Sequence, residues 1–225
     1  MRFAGLAALL FAVSTGWSAT VSWEAVKAIS DESDVVTEGR RVVAVGFAGS
    51  KGESTLNGEV FSVVASLPLL PKGVAKGGSL VSPLTPSNRG VHPFSNLPTA
   101  YQAILKYSLC TGGSTGIGTL TFSNLTPGKA YLVQLWVNDS YDKDAPSRST
   151  LVADNDGMVS AVALVHSHAA SGSSGGVGSH VVGRFTADGE SQTFYVKGKS
   201  SKAYLSAFQL RSLSSGSSPT YIFFN

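Results

Sequence analysis

From Leu125 to Ser140 the chain reads Leu-Thr-Pro-Gly-Lys-Ala-Tyr-Leu-Val-Gln-Leu-Trp-Val-Asn-Asp-Ser. A Pro-Gly turn feeds a run in which Tyr131, Val133, Leu135 and Val137 alternate with Leu132, Gln134, Trp136 and Asn138. That is the two-residue period of a pleated strand. Both faces carry large apolar groups, so the strand is expected at the centre of a sandwich. It runs into Asn138-Asp139-Ser140-Tyr141-Asp142-Lys143-Asp144, a loop dense in oxygen ligands and hydrogen-bonding groups. A rigid sheet that presents such a loop suits binding better than chemistry.

The rest of the chain repeats this pattern. Strands are expected at 21–29, at 35–47 with a break at Glu38-Gly39, and at 60–65 behind the hairpin signal Asn57-Gly58. Further strands are expected at 119–122, 130–137, 149–152, 159–166, 180–186, 192–196 and 203–213. Turn residues separate them at the spacing of an all-β protein. One helix is expected at 99–109, from the spacing of Ala100, Ile104 and Leu105 and the stop at Gly112-Gly113. Residues 68–98 hold most of the prolines and show little periodicity, and they read as a long surface insertion. The expected fold is all-β: an antiparallel β-sandwich with one short helix and that Pro/Gly-rich insertion. It would span residues 19–213 and be followed by a Ser/Gly-rich tail, 214–225, that closes on Tyr221-Ile222-Phe223-Phe224.

Arg2, an apolar run from Phe3 to Val13 and the small residues before Ala19 have the form of a secretory signal peptide over residues 1–18. The apolar run is shorter than the roughly 20 residues that a membrane span needs. Export also suits the composition: only 14% of residues are charged, and solubility rests on hydroxyls. Cys110 is the only cysteine, so no internal disulfide staples the fold. It follows Tyr107-Ser108-Leu109 and reads as a small buried hydrophobe. A net charge of +3 with scattered basic residues excludes an electrostatic nucleic-acid footprint.

Three stretches resemble a known module. They are Ile29 to Gly39 with Asn57-Gly58-Glu59-Val60-Phe61, the Leu125 to Ser140 segment, and the closing run Phe185-Thr186-Ala187-Asp188 through Phe194 to Leu205–Arg211. In this order they are similar to the galactose-binding-like jelly rolls of secreted and surface bacterial proteins, a group that includes malectin-like and carbohydrate-binding domains. The resemblance covers about residues 23–213 outside the insertion. It implies a jelly roll and a glycan or extracellular polymer as partner. It implies function far more weakly than fold.

Sugar recognition needs an aromatic face for the ring and polar side chains for the hydroxyls. Trp136, Asn138, Asp139, Tyr141 and Arg148 cluster at one strand end and its loop, and they are the expected ligand-binding residues. Asp139, Asp142 and Asp144 are candidate ligands for a structural calcium ion, which takes six to eight oxygens. Asp31 and Asp34 are a second candidate pair, because jelly rolls often place an ion near the first strand. Asp154-Asn155-Asp156-Gly157 opens like a calcium loop, but Val165 stands where that loop needs Glu. His166, His168 and His180 echo a metal-binding cupin pattern without its following Glu. No catalytic motif appears, so the expected function is non-enzymatic binding. A structural or adhesive surface role and, further off, a polysaccharide-active enzyme are the alternatives.

Overall fold

A computed structural model describes residues 18–65, 70–86 and 91–214, with side chains undescribed at 81–86. The expected leader (apart from Ser18) and the Tyr221–Phe224 cluster lie outside the described residues. The strands are β1 (Ser22–Trp23), β2 (Lys27–Ala28), β3 (Arg40–Phe47), β4 (Gly52–Leu56), β5 (Glu59–Val64), β6 (Val74–Gly78), β7 (Leu80–Pro86) and β8 (Tyr107–Thr111). They continue as β9 (Ile117–Ser123), β10 (Ala130–Val137), β11 (Ser149–Ala153), β12 (Val162–Val165), β13 (Ser179–Thr186), β14 (Ser191–Gly198), β15 (Tyr204–Leu205) and β16 (Ala207–Ser212). Among the described residues there is one α-helix, α1, which spans Thr99–Ile104.

Among the described residues the strands form three sheets. The largest has the order β1-β13-β10-β16-β3-β5-β4, with β2 also on β13. The second is β12-β11-β14-β9-β6 and the third β15-β8-β7. Neighbours are antiparallel except β3 and β5, which run parallel, so the large sheet is mixed. β10 sits inside it, with Leu135 opposite Val181 on one side and Phe208 on the other. Every residue from Tyr131 to Val137 is buried.

The two faces of β10 are covered by different partners. Val133, Leu135, Val181, Phe208 and Leu210 meet Leu120, Phe122, Phe194 and Val196 of the second sheet in one core. Phe122 stands edge-on to both Phe194 and Phe208 at centroid distances of 5.8 and 5.6 Å, the geometry aromatic quadrupoles prefer. The opposite face carries Ala44, Trp136 and Ala207 beneath Phe61, Phe94, Tyr101, Ile104 and Leu105. α1 approaches this face closely because Gly46 offers no side chain: a Cβ there would lie 2.6 Å from the Cα of Ile104.

The structure redraws three sequence readings. β6 and β7 lie within the stretch read as a surface insertion, paired to β9 and β8. Backbone pairing needs no side-chain period, and Gly- and Pro-rich strands conceal themselves for that reason. The helix expected at 99–109 stops at Ile104, and Tyr107–Thr111 form β8 instead. A helix of that length is marginal alone, so the pairing offered by β7 and β15 decides. The opening strand at 21–29 is split into two short pieces, and 35–39 lie outside any strand. The Asn57-Gly58 hairpin forms as read, with φ of +47° and +76°, the conformation a type I′ turn requires.

Candidate functional site

Where β10 ends, the chain does not enter solvent. Asn138, Asp139 and Ser140 are all buried. Asn138 N–H donates to Ser206 Oγ (2.9 Å), and Asn138 Oδ1 accepts from Gly178 N (3.0 Å). Asp139 N–H donates to the carbonyl of His166 (2.8 Å). Asp139 Oδ1 accepts from the N–H groups of Tyr141 (3.1 Å) and Asp142 (3.2 Å). An Asx turn thus closes the loop from beneath. Burial raises the Asp139 pKa, and the two N–H donors oppose that only in part.

The next residues turn outward. Tyr141 is 48% exposed. With Asp142, Lys143 and Ser174 it lines a cleft of about 350 Å³. Arg148 Nη1 lies 2.5 Å from Asp142 Oδ2, and its Nη2 lies 3.6 Å from Asp144 Oδ2. Asp142 Oδ1 accepts from Asp144 N (2.9 Å), and this bond, ahead of Arg148, lowers the Asp142 pKa against the opposing effect of burial. Arg148 thus offsets part of the loop's negative charge, and Lys143 also favours the charged form of Asp142. Ser140 O accepts from Gly175 N (2.7 Å), which binds the 173–176 loop alongside.

The residues expected to bind separate into two groups. Asp139, Asp142, Tyr141 and Arg148 meet at this loop, with Asn138 holding its root. Trp136 is fully buried on the α1 side of the sheet, edge-on to Phe61 at 5.7 Å, and its Nε1–H donates to Tyr101 Oη (2.8 Å). It gives the loop no stacking face, because side chains along a strand alternate and its turn in the pleat points under α1.

The carboxylates expected to hold calcium are engaged within the protein. Asp139 holds the turn, while Asp142 and Asp144 face Arg148. Asp31 and Asp34 lie elsewhere, around the 3-10 turn Glu32–Asp34, where they form a reciprocal capping box. Asp31 Oδ1 accepts from Ser33 N and Oγ, and Asp34 accepts from Ser30 N (2.6 Å), Ser30 Oγ (3.0 Å) and Asp31 N (3.2 Å). Among the described residues no three His, Cys, Asp or Glu side chains converge on one point. The three histidines also diverge. His166 pairs with Thr150 Oγ1 (2.9 Å), His168 with Ser179 Oγ (2.9 Å), and His180 faces Gln134 and Asp34. Asp154 Oδ2 accepts from Val21 N (2.7 Å) and ties the first strand down.

Sequence reasoning missed a buried polar chain on the α1 side of the large sheet. Gln134 Nε2 donates to the Asp34 carbonyl (2.7 Å) and faces His180 Nδ1 (3.1 Å), and its Oε1 accepts from Val36 N (3.0 Å) and Gln209 Nε2 (2.8 Å). Arg211 donates to the carbonyls of Thr37, Glu38 and Gly39 and pairs with Glu59 at 2.9 Å. These buried side chains satisfy backbone groups of a segment that belongs to no strand and so has no ladder partner for them. The available signal was the polar Gln134, Gln209 and Arg211 within otherwise apolar strands.

A second groove, about 440 Å³, lies between β4 and β5 along Lys51, Gly52, Glu53, Ser62, Val63, Val64 and Pro71. It has no aromatic face and no converging set of buried polar groups, so the Tyr141 cleft is the stronger candidate although it is smaller. No protein-family model matches the chain, and no curated protein matches it.

Proposed function

We propose that this chain is an exported, non-enzymatic binding module with a galactose-binding-like jelly-roll ancestry, which takes a carbohydrate or a surface polymer at the Tyr141 cleft. One observation carries the reading. Half-exposed Tyr141 lines a cleft, and the start of its loop is anchored by buried Asn138 and Asp139. Tyrosine offers an apolar face to the C–H side of a sugar ring and a hydroxyl to its oxygens, at small entropic cost when the backbone is already fixed. Asp142, Lys143 and Ser174 line the same cleft and supply acceptors and donors for hydroxyl groups. Among the described residues no helix is long and apolar enough to cross a membrane.

Contacts of this shallow kind support affinities on the order of micromolar to millimolar, about 4–8 kcal/mol. A glycan array probed with the full chain tests the proposal, with Tyr141→Ala as control. Binding that the substitution abolishes, at an unchanged melting temperature, is the expected result. Absence of any glycan signal from the parent would leave the structural or adhesive role as the reading to pursue.

A further inference from the structure

β12 forms one edge of the second sheet. Its register on β11 shows which backbone groups it leaves over. Ser149 lies opposite Val165, and His166 N–H donates to Arg148 O (3.1 Å). Hydrogen-bonded pairs alternate along an antiparallel ladder, so Val162 and Leu164 bond to β11 while Ala163 and Val165 turn their backbone groups outward. Val165 O accepts from Ser179 Oγ (3.0 Å). Among the described residues the outward N–H and carbonyl of Ala163 have no partner. The Ala163 side chain is exposed, whereas Leu164 beside it lies in the core between the sheets.

An open edge pairs with another chain unless a charge, a proline, a bend, a cover or extreme shortness prevents it. The other edges among the described residues have such protection. β4 carries exposed Glu53, and its Ser54 Oγ donates to Ala100 O of α1, which lies over it (2.9 Å). β6 carries Lys76 and ends on Gly77 and Gly78, the latter at φ +57°. β7 contains Pro83 and Pro86, which have no N–H to offer. β1, β2 and β15 are two residues each, and β2 includes Lys27. β12 differs from all of them: from Gly157 to Val165 the chain has no charged residue and no proline.

We propose that β12 is a self-association edge, which pairs antiparallel with β12 of a second copy of this chain across a two-fold axis at Ala163. The two Ala163 residues exchange both of their N–H···O bonds, and Ala161 of each copy lies opposite Val165 of the other. A two-fold contact sets one surface against itself. A charged strip would repel its own image, and this strip is neutral with small side chains. On the outer face Ala163 stands beside Leu151, and Leu151 beside Lys197. Pairing therefore joins Leu151, Ala163 and their counterparts into one apolar row. It keeps the two Lys197 side chains five strand spacings apart, about 24 Å, well beyond a Debye length of about 8 Å. Growth stops at the dimer, because both ends of the joined sheet are then β6 edges.

Sedimentation velocity on the full chain, from low micromolar to near-millimolar concentration, tests this. One short strand pair is a small interface, so a doubling of mass should appear toward the upper end of that range. Ala163→Lys places two ammonium groups opposite each other on residues whose α-carbons are about 5.5 Å apart, and it should weaken the dimer about tenfold or more. Ala163→Glu should do the same. The position is exposed, so both variants should melt like the parent when dilute. An equal mixture of the two should dimerise again, because Lys of one copy then faces Glu of the other. A parent that stays monomeric throughout would overturn the proposal. So would a dimer indifferent to Ala163→Lys, a mixture no more associated than either variant alone, or growth of the parent beyond the dimer. None of these readouts involves the Tyr141 cleft.

Discussion

Gln134 Nε2 lies 3.1 Å from His180 Nδ1, and this contact sets the state of the imidazole. The amide orientation of Gln134 is itself determined, because its Oε1 accepts from Val36 N and Gln209 Nε2. Its Nε2 must then donate, so Nδ1 accepts and the neutral ring carries its proton on Nε2, 3.5 Å from Asp34 Oδ1. Burial alone would raise the Asp34 pKa, but His180 and Ser30 outweigh it and hold the carboxyl below its ordinary value. One glutamine thus connects β10, β13, β16 and the segment 34–36.

Gln134→Leu removes four hydrogen-bonding contacts at once and strands Val36 N–H, Gln209 and His180. An unsatisfied buried group costs about 1–3 kcal/mol. The expected loss is about 3 kcal/mol or more in urea unfolding, with the Val36 amide exchanging faster with solvent. A change below about 0.5 kcal/mol would mean that the chain of polar contacts carries no stability.

His166 gives the protein an acid limit. Burial, reinforced by Arg148, lowers its pKa from 6.5 to about 3. In the unfolded chain the ring takes up a proton below pH 6.5, and in the folded chain it resists until about pH 3. Its contribution to stability is therefore complete above pH 6.5 and is lost as pH falls through that window, by about 1.4 kcal/mol per pH unit. Denaturant unfolding of the parent and of His166→Leu should show the slope in the parent and a flatter profile in the variant. Parallel profiles would assign the acid sensitivity to other groups.

Asp139 and Tyr141 should behave differently although they are two residues apart. Asp139→Ala removes the acceptor of two N–H groups and should lower stability by about 1–2 kcal/mol, visible as a reduced melting temperature. Asp139→Asn keeps the acceptor and removes a carboxylate that burial disfavours, so it should melt at or above the parent temperature. Tyr141→Ala, at an exposed position, should melt within about a degree of the parent. If Asp139→Ala melted like the parent, the Asx turn would not be what holds the loop.

Leu135 sits fully buried between Val181 and Phe208 in β10. Leu135→Ala should cost about 2–5 kcal/mol, the range for a large-to-small change in a packed core. A loss under about 0.5 kcal/mol in equilibrium unfolding would mean that the two sheets are not tightly packed there.

The sequence by itself determined the β character of the chain, the central place of β10 and the Asn57-Gly58 turn. Each is a local property: a two-residue period, an apolar run, a pair of residues that accept positive φ. It also brought Asp139, Asp142, Tyr141 and Arg148 together, because they lie within one loop. Only the tertiary structure decided which face of β10 carries Trp136 to α1 and which meets the second sheet, since both faces are apolar and the period is silent on the partner. Only the tertiary structure drew β6, β7 and β8 from a Pro/Gly-rich stretch and a failed helix, because backbone pairing comes from neighbours remote in sequence. The same is true of the polar chain from His180 to Glu59. Its members are separated along the chain, and nothing but packing makes a buried glutamine or a buried arginine necessary at those positions.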